Sequence, residues 1–146
     1  MNYDLRIKNG QVITEDGLQR VDLSIKDGKI AQIGKTLKSD TASREIDAQG
    51  QYVLPGFVDP HVHLNDPGLT NSEDFYTGTC AAAAGGITTV LEHPLTFPLP
   101  DNLKAFEEKK EIGKQKAIVN FGLFGACSAS NEDEMEKMLE SGAVAF

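Results

Sequence analysis

Hydrophobic and polar positions change their rhythm once along this chain. Up to about Val53 they alternate with a period of two: Leu5 and Ile7 stand among charged neighbours, and Val21, Leu23 and Ile25 alternate strictly. Asp27-Gly28 follows as a two-residue hairpin signal, with Ile30 and Ile33 on the return strand. Asn9-Gly10 reads as a turn before Val12-Ile13, and Tyr52-Val53 as a further short strand after Asp47-Ala48-Gln49-Gly50. This portion, residues 1–54, is expected to be a small antiparallel, β-sandwich-like module with little aromatic core of its own.

From Phe57 the pattern becomes strand, helix, strand, helix. The first strand runs into His61 and His63. Thr70-Asn71-Ser72-Glu73 has the form of a capping box, opening a helix that continues through Phe75 to Ala84 and stops at Gly85-Gly86. Ile87 to Leu91 reads as a buried strand closing at Glu92-His93-Pro94. A second helix is expected after Pro100-Asp101-Asn102, reaching about Gln115, with a weak stripe of Leu103, Phe106 and Ile112. The Lys109-Lys110 pair among Glu107, Glu108 and Glu111 reads as a solvated face. Ala117 to Phe124 is a third strand. Ser130 through Asp133 starts a third helix whose buried side is marked by Met135, Met138 and Leu139. Gly142 ends it, and Ala143 to Phe146 begins a fourth strand.

Repeated βα units of this length build a parallel sheet, open or closed into a barrel. Gly85-Gly86 follows a helix, so it is not the phosphate-cradling fingerprint of a nucleotide-binding open sheet. The expected fold class is α/β: the β module, then residues 55–146 as the first three βα units and the start of a fourth of a truncated (β/α)8 TIM-type barrel. A complete barrel of that kind takes about 250 residues.

The chemistry centres on Leu54-Pro55-Gly56-Phe57-Val58-Asp59-Pro60-His61-Val62-His63-Leu64. Side chains two apart on a strand share a face, so His61 and His63 project together and form half of a metal site. Solvated histidines without a metal are the plainer alternative. Against it, an unpartnered ring at the end of a buried strand is costly, and the polar turn Asn65-Asp66-Pro67-Gly68 follows directly.

Composition narrows the classes. Net charge of -8 argues against nucleic acid, whose phosphates call for clustered Lys and Arg. No apolar run approaches the ~20 residues of a membrane span. The start lacks the basic and apolar regions of a signal peptide. Cys80 and Cys127 lack framework spacing and fit reduced, buried thiols of a cytoplasmic protein.

Pro55-Gly56-Phe57-Val58-Asp59-Pro60-His61-Val62-His63, then Asp66-Pro67-Gly68, then Thr77 through Thr89 with its Gly85-Gly86-Ile87-Thr88-Thr89, resembles the cyclic amidohydrolases: allantoinases, dihydroorotases and hydantoinases. The β module resembles their composite N-terminal domain. The resemblance implies a hydrolase that opens a ring C–N bond of a small cyclic amide or ureide, using one or two divalent metals, Zn2+ foremost. His61 and His63 would be ligands of one of them, and Asp59 would orient an imidazole from behind, with a strand-end hydrogen bond as the alternative. Such an ion lowers the pKa of a bound water and polarises the amide carbonyl. The family's carbamylated lysine, its further histidines and its aspartate base fall beyond Phe146, so this polypeptide alone is expected to be inactive. Dihydroorotases carry an arginine two residues after the second histidine, suited to a substrate carboxylate. Here Asn65 takes that substrate-binding position, closer to the allantoinase pattern. His93 departs from the family; a solvated turn histidine is expected, with a place at the site mouth or adventitious metal binding as the alternatives. A non-catalytic scaffold of the same fold is the competing reading. The open edge around Val144 and Phe146 implies homo-oligomers.

Overall fold

The computed structural model describes residues 2–35 and 40–146. The chain divides into two compact units, 1–55 and 56–146.

In the first unit, β1 (Asn2–Thr14) pairs antiparallel with β2 (Gly17–Lys26), which pairs antiparallel with β3 (Lys29–Gly34). The Asp27-Gly28 hairpin forms as read, with φ of 51° and 72° at its two residues. On its other edge β1 pairs parallel with β4 (Thr41–Asp47) and β5 (Tyr52–Val53). The module is therefore mixed, not antiparallel. The β4 segment escaped the periodicity because Ile46 is its one large apolar residue. Asn9-Gly10 is not a turn. It is a bulge inside one long strand, where Asn9 adopts φ 57° and β1 carries an extra residue between the Ile7–Leu23 and Gly10–Val21 pairs. A side chain at Gly10 would meet Val53 Cγ2 at 2.7 Å, so glycine lets the bulge lie against β5. Tyr3, Val12, Leu23 and Ala48 are buried.

The second unit follows the order β6 (Phe57–Val62), α1 (Phe75–Ala84), β7 (Ile87–Glu92), α2 (Leu103–Lys116), β8 (Asn120–Leu123), α3 (Glu132–Glu140). The strands form a parallel sheet in sequence order. A bridge from Phe124 to Ala145 begins the next pairing. Phe75, Val90, Phe106, Leu123, Met138 and Leu64 form the core, with Val62 and Phe121 packed against it. Fully burying such side chains contributes about 1.5–3 kcal/mol each.

Several local expectations change. The first helix is capped by Asp74, whose carboxylate accepts from Thr77 N–H at 2.8 Å, and not by Thr70 with Glu73. Asp74 and Thr77 sit one helical turn apart at the true start, while Thr70-Asn71-Ser72 is turn. Asn102 caps α2 by accepting from Ala105 N–H. Asn131 precedes α3 but gives it no side-chain cap; its amide instead donates to Asp101 O and Ala126 O and accepts from Ser128 N–H. Leu139, expected inside, is 58% exposed because Met138 takes the inward position. Both cysteines are free as read, but Cys127 is exposed and Cys80 only half-buried. Lys109, expected on a solvated face, is 1% exposed. It shares the stripe of Phe106 and Gly113, and that stripe faces the sheet.

Candidate metal centre at the strand tips

Alternation along the strands sorts the second unit's residues onto two faces. Val62, Val90, Glu92, Phe121 and Leu123 turn toward the helices. His61 and His63, Leu91, His93, Gly122 and Phe124 take the opposite face. The histidines stand at the C-terminal ends: His61 near the end of β6, His63 just past it, His93 just past β7, and Phe124 just past β8.

The two motif histidines do come together. Their Nε2 atoms lie 3.3 Å apart, with ring centroids 5.2 Å apart and planes at 71°. A tetrahedral Zn2+ with Zn–N bonds of ~2.0–2.1 Å holds two ligand nitrogens about 3.3–3.4 Å apart. The same separation suits one neutral ring donating to the other. Two nitrogens are half a coordination sphere, and among the described residues no group of three or more His, Cys, Asp or Glu gathers to hold an ion.

The residues around the pair hold it through the main chain and by ring stacking. The Asp59 carboxylate accepts from the backbone N–H of His61 at 3.1 Å. It braces a bulge, since β6 carries an extra residue between the Asp59–Val90 and Val62–Glu92 pairs. Asp59 thus orients His61 through the main chain; bulges of this kind re-aim side chains beside sites. Asn65 sits in the turn with φ 59°, its carbonyl accepting from Leu69 N–H at 2.9 Å. His93 is not a solvated turn residue. Its ring is half-buried, stacked on His61 at 3.8 Å and 17° and on Phe124 at 4.3 Å and 26°. Ring lone pairs lie in plane, so two nearly parallel stacked imidazoles do not converge on one ion. In this arrangement His93 is a wall of the site.

Behind these tips lies a group the sequence reading missed. Lys109 Nζ stands 3.1 Å from Glu92 Oε1 and donates to His93 O at 2.9 Å. Glu92 Oε2 accepts from Leu64 N–H at 2.6 Å. Burial pushes the Lys109 ammonium below its ordinary pKa, while Glu92 and then Asp66 pull it back. About two turns further along α2, Lys116 grips Asp66 at 2.6 Å. That hydrogen bond raises the Lys116 pKa. The signal was available: Lys109 falls three residues after Phe106 and four before Gly113.

The chain matches the family described as dihydro-orotase-like over residues 50–146. It belongs to that family. It is 40% identical to a dihydroorotase of Methanosarcina mazei over 98% of its length, and 42% identical to an allantoinase of Escherichia coli over 100%. The structure of an L-hydantoinase from Arthrobacter aurescens superposes with a TM-score of 0.92 at 42% identity, covering 99% of this chain. The family members to which it is similar are thus cyclic amidohydrolases. This chain spans about a third of their length, 31–32% in these three comparisons. No described helix is long and apolar enough to cross a membrane.

Proposed function

We propose that this chain supplies the metal-holding first part of a cyclic amidohydrolase, with His61 and His63 as two ligands of one divalent ion, Zn2+ foremost. The observation that carries this is the 3.3 Å convergence of the two Nε2 atoms at strand tips. The sequential parallel order β6-β7-β8, with each strand followed by a helix, is how a (β/α)8 barrel begins. Barrel enzymes place their chemistry on the strand-tip face, where these rings stand.

When bound, the ion would supply a Lewis acid for the ring carbonyl and acidify a water at neutral pH. The chain's own residues fix where that happens. Asp59 and the β6 bulge aim His61. His93 stacks beside it and Phe124 stacks on His93, walling the pair on the β8 side. The Asn65 turn borders His63, where an amide can donate to or accept from a cyclic amide or ureide. Ring opening belongs in this reading to the longer protein that completes the ligand set.

Zinc titration of the 146-residue chain against the His61→Ala, His63→Ala double variant tests the reading. Binding by the parent chain that the double variant loses is the expected result. Unchanged binding removes the site and favours a non-catalytic scaffold of the same fold.

A further inference from the structure

The buried ion pair behind the histidines has no part in the chemistry just described, yet it touches the backbone on both sides of it. Glu92 ends β7, and its Oε2 reaches across to the N–H of Leu64, the residue after His63. Lys109 comes from α2 and binds the carbonyl of His93, the residue after Glu92. Neither charge faces solvent, at 0% and 1% exposure. A pair of hydrophobic residues of similar volume would serve stability as well, because desolvating two ions offsets most of their attraction. What apolar residues could not do is fix two main-chain groups by directional hydrogen bonds.

We propose that Glu92 and Lys109 are positioning residues that hold the tips of β6 and β7 in register, so that His61 and His63 converge and His93 stays stacked on His61. The inference rests on the metal-pair reading for its purpose, but its structural content stands apart from any metal. Glu92 fixes the backbone immediately after His63, while the Val62 carbonyl accepts from His93 N–H at 3.0 Å. Lys109 then ties the far side of His93 to α2. The link therefore runs from α2 through Lys109 to Glu92 and Leu64, and from Lys109 to His93. His63 and His93 each adjoin a peptide group held by this pair, while the His61 N–H is held by Asp59 and its ring packs against the other two.

The test uses the 146-residue chain with Glu92→Ala, Glu92→Gln and Lys109→Met, and Met138→Ala as a control that weakens the core at α3. Two quantities are read at 25 °C on folded protein: Zn2+ affinity, by competition with a chromophoric chelator, and the imidazole NMR signals of the metal-free chain. Glu92→Ala is expected to weaken zinc binding by about 10–100-fold, as for other groups that orient ligands from behind. It should also shift the ring signals of His61 and His63. Glu92→Gln, whose amide oxygen can still accept from Leu64, should lose less on both measures. Lys109→Met should move the His93 signal most. Met138→Ala should lower stability yet leave affinity within about twofold, since Met138 lies on α3 and takes no part in the hydrogen bonds at the strand tips.

Equal affinity losses in Glu92→Ala and Met138→Ala would overturn the proposal, because general loosening would then explain both. So would ring signals unmoved by Glu92→Ala. If Glu92→Ala does not fold, Glu92→Gln and Lys109→Met decide, and unmoved ring signals in both overturn it. A parent chain that binds no zinc defeats the metal reading alone; the metal-free signals still judge the positioning.

Discussion

One face of the β6–β8 sheet carries Val62, Val90, Phe121 and Leu123 beneath three helices, and the other carries His61, His63, His93 and Phe124 with no helix over them among the described residues. The two sets come from the same few residues at each strand tip. Val62 lies between the two motif histidines, and Glu92 immediately precedes His93. The covered side uses its side chains to fix the backbone. The open side uses that fixed backbone to hold polar rings in mutual contact, which they would not keep as isolated solvated groups. Apart from Glu92 and Lys109, which tie the two faces together, substitutions on the covered side should therefore appear first in stability, and those on the open side first in binding.

The largest expected effect is on the covered side. Phe106 is buried at the centre of the core, and Phe106→Ala should cost about 3–5 kcal/mol through lost burial and a residual cavity. Urea unfolding followed by helical circular dichroism reads this unit, since the described helices all lie within it. A loss below about 0.5 kcal/mol, the range of neutral surface changes, would break the comparison by showing that the core is not fixed.

A smaller effect is expected at the seam between the faces. Gly68, in the turn after His63, adopts φ 96°, and an added Cβ would meet the Phe97 carbonyl oxygen at 2.4 Å. That oxygen is main chain and cannot swing aside. Gly68→Ala should cost about 1–3 kcal/mol as strain and overpacking, and should weaken zinc binding by shifting the turn. An effect on stability alone would place the seam on the covered side and sharpen the division.

Much of this arrangement was legible in the residues. The His61–His63 pair needs only a period of two, and Gly85-Gly86 and Gly142 stop their helices because the local backbone there departs from helix: Gly86 and Gly142 have positive φ. What stayed hidden depends on partners distant in sequence. Nothing local says that β4 pairs parallel with β1, because its own pattern is nearly polar. The charge of Lys109 and its acidic neighbours predict a wet face; its buried position is partnered by Glu92 on another element. Local sequence leaves His93 open between a solvated turn and the site mouth, and only the strand order β6-β7-β8 brings it between His61 and Phe124. For Asp59 the strand-end hydrogen bond is the alternative that forms, to the His61 N–H, and the bulge it braces has no signature except the register itself.

The smallest expected effect isolates a charge on the covered side. Asp74 caps α1, and the Thr77 N–H, then the Thr77 hydroxyl, hold its carboxyl below the ordinary value of 3.8, with Lys116 adding to the same direction. For an acid whose pKa is lower folded than unfolded, the stabilisation is fully present above the unfolded value. It is lost as pH falls through the folded one, because the unfolded chain then binds the proton first. Asp74→Asn keeps a good cap acceptor but removes the titration. The parent chain should therefore exceed the Asn variant slightly in urea midpoint at neutral pH, and the gap should close on acidification below pH 3.8. Zinc affinity at neutral pH should be the same in both, since α1 begins on the side of the sheet away from the imidazoles. A gap that persists in acid would mean that the cap acts through shape and not charge. A change in zinc affinity would mean that the two faces are coupled through α1 as well as through Glu92 and Lys109.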